Sequence, residues 1–216
     1  HGFDLIITGR RQERLNITAE KMRRKYAVNV MELCFDIRKL KEVKKAVSKI
    51  KSSWKNVDIL VNNAGLAKGL AEIHEGQIDD WEIMIDTNVK GLLYMTRLIA
   101  PMMVKRGKGH IINLASTAGK EVYPMGSVYC ATKHAVDALT KAIRLDLYKY
   151  GIRVSQVAPG HVEETEFALV RFDGDKNKAK IYEDFKPVSS KDISKIIYFI
   201  ASQPKHVNIQ DILVMG

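Results

Sequence analysis

Apolar residues fall along the chain into two alternating kinds of segment, short β-branched runs and longer amphipathic stretches. The short runs are nearly continuous in apolar character, which is typical of strands buried on both faces of a sheet. They are Leu5–Ile7, Val28–Phe35, Ile59–Val61, Ile111–Leu114, Val154–Ala158 and Ile212–Val214. The longer stretches carry apolar residues at helical spacing. They are Gln12–Tyr26, Leu40–Lys51, Trp81–Arg106, Val128–Tyr150 and Lys191–Ser202.

This alternation predicts an α/β protein in which helices cover both faces of a doubly wound parallel sheet. The length of 216 residues favours one domain, so we expect residues 1–216 to form a single dinucleotide-binding and catalytic domain. One long irregular stretch runs from Pro159 to about Pro187. Loops of that length in compact domains are usually functional, so residues 159–187 are predicted to form a substrate lid.

Composition narrows the class of protein. An apolar content of 46% excludes a disordered chain, and no apolar run reaches the roughly 18 residues that a membrane-spanning helix needs. We therefore expect a cytoplasmic protein without a membrane partner. The net charge of +10 comes largely from lysines on the outer faces of predicted helices, so no nucleic-acid partner is expected. Cys34 and Cys130 lie in apolar segments and suit neither a disulfide framework nor a metal site; both are predicted to be reduced core or near-core thiols.

Small and polar residues gather where the predicted strands end. Ligands of open parallel sheets bind outside the carboxyl ends of the strands, so these segments predict a cofactor cleft. They are Thr8–Arg11, Phe35–Ile37, Asn62–Gly65, Ala115–Thr117 and Ala158–Gly160.

Tyr129 and Lys133 are four residues apart in a predicted helix and therefore share one face. Lowering the pKa of a phenol from ~10 to ~7 takes ~4 kcal/mol, which a nearby cation in a partly desolvated site can supply. Ser116 ends a predicted strand thirteen residues earlier, so its hydroxyl can meet the phenol at one small group. Asn88 lies in the preceding long helix, where a solvent-facing or back-bonded helical amide is the simpler interpretation.

These motifs, in this order and spacing, resemble those of the short-chain dehydrogenase/reductases, which have a Rossmann-like fold. The motifs are Asn62–Gly65, Asn88, Ser116, Tyr129 with Lys133, and Pro159–Gly160. The resemblance covers essentially the whole chain. Residues 79–81, 86–94, 160–172 and 206–209 more narrowly resemble the NADP-dependent 3-hydroxy acid dehydrogenases, which act on serine, allo-threonine and related acids.

The resemblance implies hydride transfer between a nicotinamide and the carbinol or carbonyl carbon of a small hydroxy acid. Tyr129 would act as general acid/base, and Lys133 would lower the tyrosine pKa and hold the nicotinamide ribose. Ser116 would hydrogen-bond the reacting oxygen, and Asn88 would anchor a water. The resemblance also implies a homo-oligomer, a tetramer or dimer. Apolar residues on several faces of the helices at 81–106 and 128–150, among them Ile99 and Leu139, fit such pairing.

Charge indicates the cofactor. Gly9 stands where NAD-specific relatives carry an acidic residue, and Arg10 and Arg11 follow it; a guanidinium there suits the 2′-phosphate of NADP. The same arginines would also suit the solvated start of a helix. By resemblance, Asp36 and Ile37 would approach the adenine. The remaining predicted cofactor residues are Asn62, Ala64, Gly65, Tyr129, Lys133, Pro159 and Gly160.

The chain departs from the family at one point, because the Gly-rich turn Thr-Gly-x-x-x-Gly-x-Gly and its strand do not precede Leu5. We interpret the sequence as an incomplete copy that lacks the first strand and the pyrophosphate site. The alternative function is therefore a non-catalytic binding protein or an inactive fragment on the same fold. Glu163, Glu164 and Arg171 are the charges of the predicted lid; each could meet the substrate or be solvated, and we expect at least two to be solvated.

Overall fold

The computed structural model describes residues 2–179 and 186–216. The chain forms two compact units, His1–Lys55 and Asn56–Gly216, each with a parallel sheet. Parallel strands alternating with helices confirm the α/β class predicted from the apolar pattern.

The first unit pairs two strands and two helices. Its elements are β1 (Leu5–Gly9), α1 (Gln12–Tyr26), β2 (Val30–Cys34) and α2 (Leu40–Ser48). The strands run parallel, with Leu5 opposite Val30 and Gly9 opposite Cys34. Helix α1 buries its apolar face and ends where Ala27 adopts a left-handed conformation and donates its N–H to the Arg23 carbonyl.

The main elements of the second unit are β3 (Ile59–Asn62), α3 (Ile78–Ile85), α4 (Gly91–Arg106), β4 (Gly109–Leu114), α5 (Ser127–Leu147), β5 (Ile152–Pro159), α8 (Ser190–Ala201) and β8 (Asp211–Val214). Its four-stranded sheet has the order β3-β4-β5-β8. Ile111 of β4 stands opposite Val154 of β5, and both side chains are fully buried. Such continuous burial of neighbouring strands explains why the sequence shows apolar runs rather than alternation.

Helices α3 and α4 continue into each other through a π turn at Asp86–Lys90. Pro101 lies inside α4. The sequence predicted this segment as one helix over Trp81–Arg106, and the structure begins it at Ile78. The π turn itself has no counterpart in the apolar pattern.

The stretch predicted as an irregular lid holds short regular elements. They are β6 (Val162–Glu163), α6 (Phe167–Arg171), α7 (Lys176–Ala179) and β7 (Val188–Ser189), of which the two strands pair with each other. The interpretation of Pro159–Pro187 as irregular throughout is therefore wrong. Residues 180–185 of the predicted lid lie outside the described residues.

The two cysteines differ in environment. Cys130 is buried, whereas Cys34 is exposed, so the prediction of a core or near-core thiol is wrong for Cys34. Successive strand residues point to opposite faces, and Leu33 takes the buried position beside it. Within the part of the chain that the structure describes, no helix combines the length and apolar character needed to cross a bilayer.

Candidate active site

Tyr129 and Lys133 lie one turn apart near the start of α5, and both are buried. The Lys133 Nζ atom is 5.9 Å from the centre of the Tyr129 ring. It donates a hydrogen bond of 3.0 Å to the carbonyl of Leu114, the last residue of β4. The helix thus presents an ammonium and a phenol together at the carboxyl end of the sheet.

Lys133 stays mostly charged at neutral pH although it is buried. The loss of solvent around the ammonium lowers the pKa of Lys133 from its usual 10.5 to about 8. At neutral pH the side chain is therefore still mostly protonated. A protonated amine beside Tyr129 favours the phenolate form of that residue electrostatically.

Ser116 begins a short 3₁₀ turn, Thr117–Gly119, directly after β4. Its buried Oγ accepts the N–H of Ala118 at 3.2 Å, and Ala118 packs in the same apolar cluster as Tyr129. The turn also lies against α5 at Gly119, where a Cβ would stand 2.6 Å from the Lys133 carbonyl oxygen. The contacts of Ala118 and Gly119 thus hold the Ser116 turn against the helix that carries Tyr129 and Lys133.

Asn88 lies in the π turn and is only 2% exposed, so the simpler interpretation of a solvent-facing amide is wrong. Its Oδ1 accepts the N–H of Leu66 at 2.8 Å, and its Nδ2 donates to the Leu66 carbonyl at 2.8 Å. The Nδ2 group also donates to Thr132 Oγ1 at 3.0 Å, and that hydroxyl donates to the Tyr129 carbonyl. The amide therefore joins the loop after β3 to the face of α5 that carries Tyr129 and Thr132.

Gly65 borders this arrangement in the same loop. A Cβ at Gly65 would lie 3.3 Å from Lys133 Nζ and 3.4 Å from Asn88 Oδ1. These distances are tight, so the absent side chain keeps space beside the two polar groups. Ala64 and Gly65 are exposed, as a cofactor-lining position requires.

The other predicted cofactor residues of this unit have defined structural partners. The Asn62 amide is buried and donates to Thr96 Oγ1 at 3.1 Å and to Asn113 Oδ1 at 2.8 Å, so its side chain joins β3 to α4 and β4. Pro159 ends β5, and Gly160 donates its N–H to the Val214 carbonyl at 2.8 Å. Both of these residues are partly buried at the end of the sheet.

The predicted phosphate and adenine residues belong to the first unit. Arg10 and Arg11 follow β1 and are exposed. Asp36 forms a bidentate contact with Arg38, whose Nε lies 3.0 Å from each carboxylate oxygen. These hydrogen bonds lower the pKa of Asp36, and Ile37 beside it is partly buried. Sequence reasoning missed Arg38, although its position two residues after Asp36 was visible.

The three charged residues of the predicted lid differ in solvent exposure, and two of them are solvated as expected. Glu163 and Glu164 are exposed, whereas Arg171 is buried with 3% exposure. Its guanidinium lies 6.0 Å from the centre of the Tyr129 ring. The sequence left open whether Arg171 meets the substrate or is solvated, and no local pattern indicates its burial.

The chain belongs to the short-chain dehydrogenase family, whose model matches residues 1–175. This match confirms the resemblance predicted from the motifs. The NADP-dependent 3-hydroxy acid dehydrogenase YdfG of Salmonella typhi is 43% identical over 216 residues, all of this chain and 86% of that protein. An NADP-dependent 3-hydroxy acid dehydrogenase of Schizosaccharomyces pombe is 40% identical over 97% of this chain and 81% of that protein.

Solved structures agree. The closed form of serine dehydrogenase complexed with NADP⁺ superposes with a TM-score of 0.93 at 42% identity, covering 100% of this chain and 86% of that one.

Proposed function

We propose that this dehydrogenase oxidises the carbinol carbon of a small 3-hydroxy acid, such as serine or allo-threonine, with NADP as hydride acceptor. The reverse reduction uses the same groups. The proposal depends chiefly on one observation: Tyr129 and the buried Lys133 are held together at the end of β4 by the hydrogen bond from Lys133 to Leu114. The names of the relatives support NADP and hydroxy acids as the cofactor and substrate class.

Tyr129 is the general base for oxidation. It takes the proton of the substrate hydroxyl while a hydride leaves the carbinol carbon that bears this hydroxyl. In reduction it gives a proton to the carbonyl oxygen. The Lys133 cation stabilises the phenolate that this step requires. Ser116 donates its hydroxyl hydrogen to the reacting oxygen and keeps that oxygen in line with the phenol.

Asn88 has a supporting role. Its Nδ2 hydrogens are directed to Leu66 and Thr132, and its Oδ1 already accepts the Leu66 N–H. A carbonyl oxygen has two lone pairs, so Oδ1 retains capacity to accept from a water beside Lys133. Asn88 therefore orients the surroundings of the lysine.

Each unit contains residues that suit a different part of the cofactor. In the second unit, the space that a Cβ at Gly65 would fill lies beside Lys133 Nζ, which suits a ribose hydroxyl. In the first unit, Arg10 and Arg11 place exposed guanidinium groups after β1, which suits a phosphate. When bound, NADP supplies the hydride acceptor.

The decisive experiment measures NADPH formation with serine, allo-threonine and the neutral analogue serinol, with NAD in place of NADP as the control. We expect turnover with the acids and NADP. Tight NADP binding without turnover of any hydroxy acid or carbonyl compound would instead support the non-catalytic binding protein.

The proposal includes a cytoplasmic homodimer or homotetramer. Ile99 is buried within the chain, so Ile99→Asp would disturb the fold rather than an interface. Leu145 on α5 is 71% exposed and Leu93 on α4 is 39% exposed, so both helices keep apolar surface for a second subunit. Sedimentation equilibrium of the wild type and of Leu93→Asp and Leu145→Asp tests this part, because a monomeric wild type would contradict it. Cell fractionation tests the location.

A further inference from the structure

Arg171 is a buried cation that the proposed reaction does not yet use. It ends α6, and its Nε donates to the Gly69 carbonyl at 3.0 Å while its own carbonyl accepts the Gly69 N–H at 2.9 Å. Its Nη1 donates to the Tyr123 hydroxyl at 3.1 Å. A guanidinium with only 3% exposure needs such contacts because desolvation of the charge is costly.

Aromatic rings surround this guanidinium. Its Cζ lies 5.6 Å from the centre of the Tyr123 ring, 5.9 Å from that of Phe172 and 6.0 Å from that of Tyr129. Phe167, the first residue of α6, also meets Tyr129 edge-on, with ring centres 5.8 Å apart. Helix α6 therefore contacts the tyrosine with both of its end residues.

The segment that carries Arg171 is attached a second time to the loop after β3. Lys68 of that loop forms an ion pair with Asp173. Two residues earlier, Leu66 exchanges both of its backbone hydrogen bonds with the Asn88 amide. A continuous series of contacts thus connects Asn88, the loop at Leu66–Gly69, Arg171 and Tyr129.

We propose that Arg171 is a positioning residue for the reaction, which fixes the Tyr129 ring and adds a second positive charge beside it. Lys133 lies at 5.9 Å and Arg171 at 6.0 Å from the same ring, so two cations favour the phenolate. A cation near the face of an aromatic ring is attracted more strongly when that ring gains negative charge, and exclusion of water strengthens the effect. The inference rests on the proposed role of Tyr129 as the base.

The test compares Arg171→Gln and Arg171→Lys with the wild type. Removal of the charge makes the phenolate harder to form, so Arg171→Gln should shift the pH profile of kcat to higher pH by about one unit and lower kcat near neutral pH about tenfold. Arg171→Lys keeps a cation and should restore most of the profile. If Arg171→Gln does not fold, Arg171→Met tests the loss of the charge in its place, because it keeps an aliphatic side chain between the rings.

Arg144→Gln is the matched control. Arg144 of α5 also donates to two backbone carbonyls, those of Val154 at 2.8 Å and Gln210 at 3.0 Å. Its loss should lower the thermal stability and leave the pH profile in place. That result would separate the loss of a side chain that clamps the backbone from the loss of a charge beside Tyr129.

A readout without turnover keeps this inference distinct from the proposed function. Ultraviolet titration of the cofactor-free protein, minus that of Tyr129→Phe, isolates the ionisation of Tyr129, and its midpoint should rise in Arg171→Gln. An unchanged midpoint and an unchanged kcat profile would overturn the proposal. A higher KM for acids only, with the midpoint unchanged, would also overturn it, because Arg171 would then bind the substrate carboxylate instead.

Discussion

The buried cluster of the second unit, which we propose carries the reaction, and the charged edge of the first unit, which we propose binds the phosphate, are built in opposite ways. In the cluster, Asn88, Tyr129 and Lys133 are buried, and backbone carbonyls or buried hydroxyls hold the amide and the amine. At the edge, Arg10 and Arg11 are exposed, with helix α1 beginning directly after them.

This difference separates two physical strategies. Burial fixes the positions of the side chains in the cluster and lowers the pKa of Lys133. The loss of a single polar group there should therefore have a large effect on activity. Exposed charges at the edge remain screened by solvent and salt, so each one contributes modestly and the loss of one is graded. The cluster should therefore fail abruptly on mutation, whereas the edge should weaken by degrees.

The largest effect is expected for Tyr129→Phe. The change removes the proton-transfer group and little contact area, so turnover should fall by about 10²–10⁴-fold while NADP affinity stays within several-fold. Initial rates and fluorescence titration of NADPH measure the two quantities. Turnover near that of the wild type would show that the cluster is not the reacting site.

Lys133→Met should separate activity from stability. Turnover and cofactor affinity should both fall, whereas the cofactor-free protein should become more stable near neutral pH. The folded-state pKa of about 8 lies below the usual 10.5, so the folded protein carries a desolvation penalty at all pH values below about 8. The pKa difference corresponds to about 3 kcal/mol, which the lost hydrogen bond to Leu114 partly offsets.

Urea unfolding at several pH values checks this result. The unfolded chain binds more protons than the folded one between the two pKa values, so wild-type stability rises there relative to Lys133→Met. The advantage of the variant should therefore shrink as the pH rises from about 8 to about 10.5. A constant advantage would mean that side-chain shape, not the buried charge, sets the difference.

Arg10→Ala tests the charged edge. Loss of one guanidinium should weaken NADP binding by about 1.5–3 kcal/mol and leave NAD binding nearly unchanged, because only NADP has the 2′-phosphate. Titration calorimetry with both cofactors gives the comparison, and added salt should reduce the difference. Equal losses for NADP and NAD would assign Arg10 to the fold.

The smallest effect is expected for Glu163→Gln and Glu164→Gln. Both side chains are exposed, and we expect kcat and KM within about twofold of the wild type, as for most surface substitutions. Steady-state kinetics with serine tests each variant. A large increase in KM for either would place that carboxylate at the substrate.

Long elements could be predicted because their apolar pattern repeats several times. Helix α1 was predicted with both of its observed ends, Gln12 and Tyr26. The two-residue strands β6 and β7 are too short to show a period, since they are defined by the pairing of Val162 with Val188 and of Glu163 with Ser189. Cys34 shows a related failure, because an apolar run does not reveal which strand face meets solvent.

The proximity of Tyr129 and Lys133 could be predicted because they are neighbours on one helix. Arg171 could not, since its partner Gly69 lies 102 residues away in the chain and an arginine is ordinarily exposed. The contact of Asn88 with Leu66 likewise depends on the π turn, which no residue type in the sequence indicates.

The π turn at Asp86–Lys90 also constrains how this segment can change in length. It holds one more residue than an α-helical turn, and each residue of an α-helix advances the phase by about 100°. Deletion of a single residue there would let the segment close as a regular α-helix and would keep Met84 of α3 and Leu92 of α4, which are both buried, on the same face, because the π turn absorbs its extra residue. In a loop-grafting design, a one-residue gap at 86–90 should therefore preserve the packing of the flanking helices and instead displace Asn88, whose amide contacts Leu66 and Thr132.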